Sequence, residues 1–178
     1  MEENLEEIRR ELVNGYAKKG HPFRYFSLAT LSGDKPVQRT VVLRKLLPDF
    51  KLMLYTDARS NKINQITTNT QVSTLFYHPK KLLQIQLTGH AERIEGEALD
   101  IHWKTISENA RKDYTTSEAP GTPIKNLEDL QYRMNSLNFA MIQIIPDQID
   151  YLQLKRPNHL RIRFTKQDND WLGQYLVP

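Results

Sequence analysis

The sequence predicts an α+β domain in which an antiparallel β-barrel or sandwich carries a few peripheral helices. Short apolar segments with period-two alternation recur along the 178 residues, separated by turn formers. Helical periodicity interrupts them only here and there, which favours an antiparallel sheet over a βαβ arrangement. No repeat, low-complexity tract or linker divides the chain, so residues 1–178 read as one domain with residues 1–20 as a helical arm.

Residues 2–19 form the first helix, because Leu5, Ile8, Leu12, Val13 and Tyr16 recur at helical spacing, Glu fills the first turns and Gly20 supplies a stop. RYFSLATL (24–31) and PVQRTVVLRK (36–45) flank the turn SGDK as a hairpin, and FKLMLYTD (50–57) follows after LPD. Ser60 is placed to N-cap a helix whose apolar face is Ile63 and Ile66. QVSTLFYH (71–78) and LLQIQLTGHAERI (82–94) pair around PKK, with Leu83, Ile85 and Leu87 facing a core and Gln84 and Gln86 facing away. Ala98, Leu99, Trp103 and Ile106 stripe a helix over 97–106, and RKDYTTSEAPGTP (111–123) is a loop. Asn126 caps an expected helix carrying Leu127, Leu130, Met134 and Leu137. The strands FAMIQII (139–145), QIDYLQL (148–154), HLRIRFT (159–165) and WLGQYLV (171–177) close the chain.

Composition narrows the chemistry. There is no cysteine, which removes disulfides, thiolate nucleophiles and Cys-ligated metal sites together. The 7 glycines form no G-x-G-x-x-G or P-loop, and the 5 histidines are dispersed without metal-ligand spacing. Of these, His78, His90 and His102 read as surface or helix-face residues, and Trp103 and Trp171 as packing. A net charge of +4 admits anionic small molecules as well as nucleic acid, but the strands lack the alternating aromatics and cations of a nucleic-acid platform. The acidic, amphipathic MEENLEEIRR is unlike a signal peptide, and the apolar runs TVVL and LMLY are too short to span a bilayer, so a cytoplasmic protein is expected.

One stretch gathers cations. Arg39 and Arg44 bracket the strand RTVVLR, while Arg59 and Lys62 sit where a strand turns into a helix. On composition alone these are solvated charges at hairpin ends. A helix N-terminus with a serine hydroxyl and a lysine beside it is, however, a ready anion site, and Arg39 across from it would suit a phosphate.

The order R-T-V-V-L-R, Y-T-D-A-R-S-N-K, Gln84 within LLQIQLTGHAE, and R-I-R-F beside a terminal W…L-V-P resembles the pyridoxamine 5′-phosphate oxidase family, from about residue 21 to 178. The resemblance implies an antiparallel split β-barrel that binds FMN at a homodimer interface. It implies cofactor contacts from Arg39, Thr40, Val41, Val42 and Leu43, with Arg44 where the family has Lys. It adds Tyr55 and Thr56, then Ser60, Asn61 and Lys62 at the phosphate, Gln84 at the flavin ring, and Arg163. Arg59 matches none of the family's contact positions and is expected to be a remote surface charge. Three departures stand out: Asn61 replaces a cation, Leu152 stands where the vitamin-pathway oxidases carry Trp, and His159-Leu160-Arg161 reverses their Arg-x-His substrate pair. The resemblance therefore implies an FMN-dependent oxidoreductase with an altered substrate site, where His159 and Arg161 meet a small anionic substrate. Arg111, Ser117 or Thr122 would add loop contacts. A flavin-binding carrier or sensor without turnover is the alternative.

Overall fold

The computed structural model describes residues 1–133 and 138–178. Among the described residues nine strands make one antiparallel sheet: β1 (Tyr25–Ser32), β2 (Lys35–Val42), β3 (Lys45–Leu46), β4 (Leu52–Asp57), β5 (Gln71–His78), β6 (Leu83–Ile94), β7 (Phe139–Gln153), β8 (Leu160–Gln167) and β9 (Asp170–Leu176). Their order is β2-β1-β5-β6-β7-β4-β3, with β8 and β9 continuing from β7, and the sheet does not close. This is the split barrel that the sequence implies. Helices α1 (Glu2–Ala17), α2 (Asn61–Thr68), α3 (Glu97–Thr105) and α4 (Glu108–Arg111) lie outside it.

Alternation along the strands sorts residues onto two faces, and the register carries each row across the sheet. Arg39 pairs with Leu28, Leu28 with Thr74, Thr74 with Leu87, Leu87 with Ile149 and Ile149 with Phe164. Apart from Arg39, this row is buried in the main core. The next row runs Thr40, Ser27, Leu75, Gln86, Asp150, Arg163 and Gln174 on the outer face. A parallel outer row takes Tyr77, Gln84, Leu152, Arg161 and Leu176. Behind β4 and β7 a second cluster of Met53, Tyr114, Phe139 and Met141 packs under Trp103, Leu99 and Ile106.

The structure redraws three expected elements. The strand 36–45 breaks because the chain changes partner: Leu43 N donates to Arg24 O and Arg44 N to Met53 O. The strands 139–145 and 148–154 are one strand, β7. Pro146, which has no N–H to donate, is tolerated because it lies at a register shift opposite Gly89. A Cβ on Gly89 would strike the carbonyl of Ile145 and come within 2.7 Å of Pro146 Cα, so only glycine admits this approach. The helix expected after Asn126 is a single 3₁₀ turn, Leu127–Asp129, closed by an Asn126/Asp129 capping box. Leu127 is 82% exposed, so its apolar stripe has no surface to pack on, and Tyr132 instead bridges to Thr116. Met134 and Leu137 lie outside the described residues.

The arm α1 docks through Ile8 and Leu12 and through a buried polar cluster. Lys81 Nζ donates to Glu11 Oε1 at 2.6 Å, and the Tyr151 hydroxyl donates to Glu7 at 2.8 Å. Burial and Glu7 hold the Tyr151 phenol well above its ordinary pKa. His21 and His78 accept backbone N–H bonds at Nδ1 from Phe23 and Lys81, which leaves their ring protons on Nε2, facing Glu11.

Candidate functional site

Arg39, Ser60, Asn61 and Lys62 come together in a cleft of about 320 Å³ between β2 and the start of α2, with Gln65, Pro120 and Gly121 among its walls. Each is fixed by local structure. Arg39 ends the inward row, and its guanidinium donates to Thr30 Oγ1 at 2.6 Å, Gln65 Oε1 at 2.7 Å and Leu28 O at 3.3 Å. Lys62 donates to Thr56 Oγ1 at 2.8 Å and Ser60 Oγ at 2.7 Å. Ser60 is the N-cap of α2 but makes no side-chain capping bond, and with Ile63 N donating to Ser60 O, the N–H groups of Asn61 and Lys62 keep the positive end of the helix for a ligand. Among the described residues neither Arg39 nor Lys62 pairs with a carboxylate. Burial, and then the neighbouring Arg39, press the Lys62 pKa below its ordinary value, against an opposing pull from Asp57. Burial lowers that of Arg39 as well.

The other cations of this stretch have different employment. Arg59 is no remote surface charge. It grips Asp57 at 2.7 and 3.0 Å and donates to the backbone oxygens of Thr116 and Ser117 at 2.9 and 3.0 Å, clamping the 111–123 loop to the end of β4. The Asp57 side chain is only 2% exposed, so Arg59 is its compensating charge. Arg44 lies over the Tyr55 ring at 5.2 Å, and the Tyr55 hydroxyl bonds His102 Nδ1 at 3.0 Å. His102 is thus tied to a residue on the expected contact path. Thr40 is exposed, whereas Val41 and Leu43 are buried, so only their backbones are available to a ligand. Val42 lies on the outer face with Thr40. Arg111 stacks on Trp103 at 5.0 Å and donates to Trp103 O and Lys104 O, apart from the cleft.

A second polar group sits on the outer face of β6, β7 and β8. Gln84, Leu152 and Arg161 share one row, and Gln86, Asp150 and Arg163 the next. The buried Asp150 carboxylate accepts from Arg161 Nε at 2.9 Å and from Arg163 Nη2 at 3.2 Å. His159 is exposed, and its Nδ1 accepts from Lys155 N at 3.2 Å, leaving Nε2–H outward. Sequence reasoning missed Thr30, Gln65, Asp57 and Asp150. Gln65 had a signal, being three residues after Lys62 on one helix face.

A family model described as the FMN-binding domain of pyridoxamine 5′-phosphate oxidase matches residues 5–95, half of the chain. The chain belongs to the pyridoxamine 5′-phosphate oxidase family. Its relatives in that family include the pyridoxine/pyridoxamine 5′-phosphate oxidases of Acinetobacter baumannii (30% identity, 85% of this chain and 77% of the relative) and Deinococcus deserti (27%, 85% and 78%). A pyridoxamine 5′-phosphate oxidase-related, FMN-binding protein of Nostoc punctiforme superposes with a TM-score of 0.79 at 25% identity, covering 97% of this chain and 96% of its own. PhzG of Burkholderia lata shares the fold, with a TM-score of 0.78 at 19% identity over 98% and 92% of the two chains. FMN is the cofactor that the family membership assigns. The cleft suits its phosphate: two part-buried cations without a carboxylate partner, a hydroxyl and a free helix N-terminus are the donor set a dianion needs.

Proposed function

We propose that the chain is an FMN-dependent oxidoreductase acting on a small anionic substrate, with Arg39, Ser60, Asn61 and Lys62 holding the cofactor phosphate. The observation that carries this is the pairing of Arg39 with Lys62 in one cleft, each part-buried and each without a carboxylate. Left alone, two like charges in a cleft repel, and a bound dianion relieves that cost. FMN supplies the electron-accepting chemistry when bound, and the chain supplies binding, orientation and exclusion of water. Thr40, Val41, Val42, Leu43, Arg44, Tyr55 and Thr56 line the approach, in part through backbone. Gln84 offers an amide to the flavin edge, and Leu152 beside it offers apolar cover. The outward Nε2–H of His159 and the free edge of Arg161 are donors for a substrate anion.

The cleft belongs to the inward row of the sheet, and Gln84, Arg161 and Arg163 to outward rows. That separation supports a homodimer in which the cleft of one protomer and the outer face of its partner share each FMN. A flavin carrier or sensor is the second reading, favoured by Asp150 already occupying Arg161. Turnover of a panel of amines, with dioxygen or a nicotinamide as partner, separates the two.

The binding reading is tested with riboflavin, which lacks the phosphate. Losing even one charge-assisted hydrogen bond costs about 1.5–3 kcal/mol, so riboflavin binds at least about tenfold more weakly than FMN. Equal affinities in a fluorescence-quenching titration refute it.

A further inference from the structure

We propose that Asp150 is a positioning residue that sets Arg161 and Arg163 as one unit for the ligands of the outer face. The inference rests on the flavin-binding reading above and extends it to a residue that no resemblance singled out.

The geometry is specific. Asp150 is 5% exposed and lies directly across β7–β8 from Arg163, with Arg161 two residues along on the same face. Its Oδ1 accepts from Arg161 Nε at 2.9 Å, and its Oδ2 from Arg163 Nε and Nη2 at 3.3 and 3.2 Å. Arg161 Nη2 lies 3.5 Å from Oδ2. Both guanidinium groups therefore turn the same Nε/Nη2 edge to one carboxylate. Among the described residues neither Nη1 has a protein acceptor, so each arginine keeps that group for an oxyanion. The two side chains remain 35% and 40% exposed, so ligand access is open.

This arrangement also accounts for the reversed His159/Arg161 order. A guanidinium at position 161 reaches Asp150 through Nε while leaving Nη1 outward, whereas a neutral imidazole in its place has a single N–H and cannot serve both directions. Asp150 acts on the site in two opposing ways. Its charge offsets one of the two cations, which weakens attraction for an anion. It also holds two long, rotamer-rich side chains in place before a ligand arrives. Because the arginines are over a third exposed, solvent screens the charge effect, whereas ordering two free arginines on binding costs about tenfold in affinity. The positioning effect wins, and the inference follows from that balance.

The test compares FMN affinity, by fluorescence quenching, for Asp150→Asn, Arg163→Gln and the double variant, with the melting temperature of each apo-protein recorded alongside. We expect Asp150→Asn to weaken FMN about tenfold in the natural background. In the Arg163→Gln background it should add less than about twofold, because the residue acts through that arginine. An unchanged affinity for Asp150→Asn, or an equal loss in both backgrounds, overturns the proposal. A loss that tracks a lowered melting temperature in both backgrounds assigns Asp150 a merely structural role and overturns it too. Lys62→Ala separates this from failure of the underlying reading. If Lys62→Ala weakens FMN and Asp150→Asn does not, only the positioning role falls. If neither does, the phosphate site falls with it.

Discussion

Lys62 and Arg59 are cations in a single turn, and the structure gives them opposite signatures on substitution. Lys62→Met removes a part-buried ammonium that Arg39 repels and that, among the described residues, makes no ion pair, feeling only a weaker pull from Asp57. What is lost without ligand is two hydrogen bonds, to Thr56 and Ser60, and relief from desolvation and like-charge repulsion offsets them. The apo-protein should melt within about 2 °C of the parent, since roughly 1 kcal/mol shifts a chain of this size by about 2–4 °C. FMN affinity should fall about ten- to a hundredfold, the equivalent of one charge-assisted hydrogen bond of about 1.4–2.8 kcal/mol. Arg59→Ala does the converse. It leaves the Asp57 carboxylate, 2% exposed, without its cation, and it frees the backbone oxygens of Thr116 and Ser117. Breaking a buried pair costs about 3–5 kcal/mol, and the part-exposed Arg59 argues for the lower end, a fall of about 6–12 °C. Once folded at low temperature, that variant should bind FMN far better than the Lys62 variant does. Scanning calorimetry of both apo-proteins, with isothermal titration of FMN at 10 °C, decides the matter. If Lys62→Met lowers the melting temperature as much as Arg59→Ala, or leaves FMN affinity intact, the division of labour described here is wrong.

Three further outcomes are expected. The Lys62 pKa lies below the ordinary lysine value in the apo-protein. Between the two values the unfolded chain holds the extra proton, so this residue makes apo stability rise with pH through that window. A bound phosphate favours the charged amine, so FMN binding at alkaline pH should take up protons, read by titration calorimetry in buffers of different ionisation enthalpy; a release or no exchange contradicts the placement. The FMN-bound protein should sediment at equilibrium as a dimer at micromolar concentration, and a single species of 20.9 kDa would refute the shared site. Oxidation of pyridoxamine 5′-phosphate should be slow, because the His159/Arg161 order differs in charge and donor geometry from the Arg-x-His pair; a kcat/KM above about 10⁴ M⁻¹s⁻¹ would show that the swap is tolerated.

Much of the barrel was legible because its strands are half-buried, and alternation such as Leu83, Ile85 and Leu87 against Gln84 and Gln86 records which side faces the core. The stripe after Asn126 was not legible, because periodicity reports a possible apolar face and says nothing of a surface to receive it. That Arg39, Ser60 and Lys62 share one cleft could be read because they carry a recognisable order. The fate of Arg59 could not: Asp57, two residues earlier, captures it, and that choice depends on the burial of Asp57 and on where the 111–123 loop lies. Asp150 was hidden for a related reason. A single aspartate in a strand is unremarkable until the register sets Arg163 opposite it.

The inward placement of Arg39 and the outward placement of Arg163 have a consequence for inheritance and mixing. On the dimeric reading, each chain carries two halves of two different sites. A chain spoiled at Lys62 and a chain spoiled at Arg163 are then not equivalent failures. Joined together, they place both defects in one site and leave the other whole, so two inactive preparations combined would recover up to half the binding capacity of one good one.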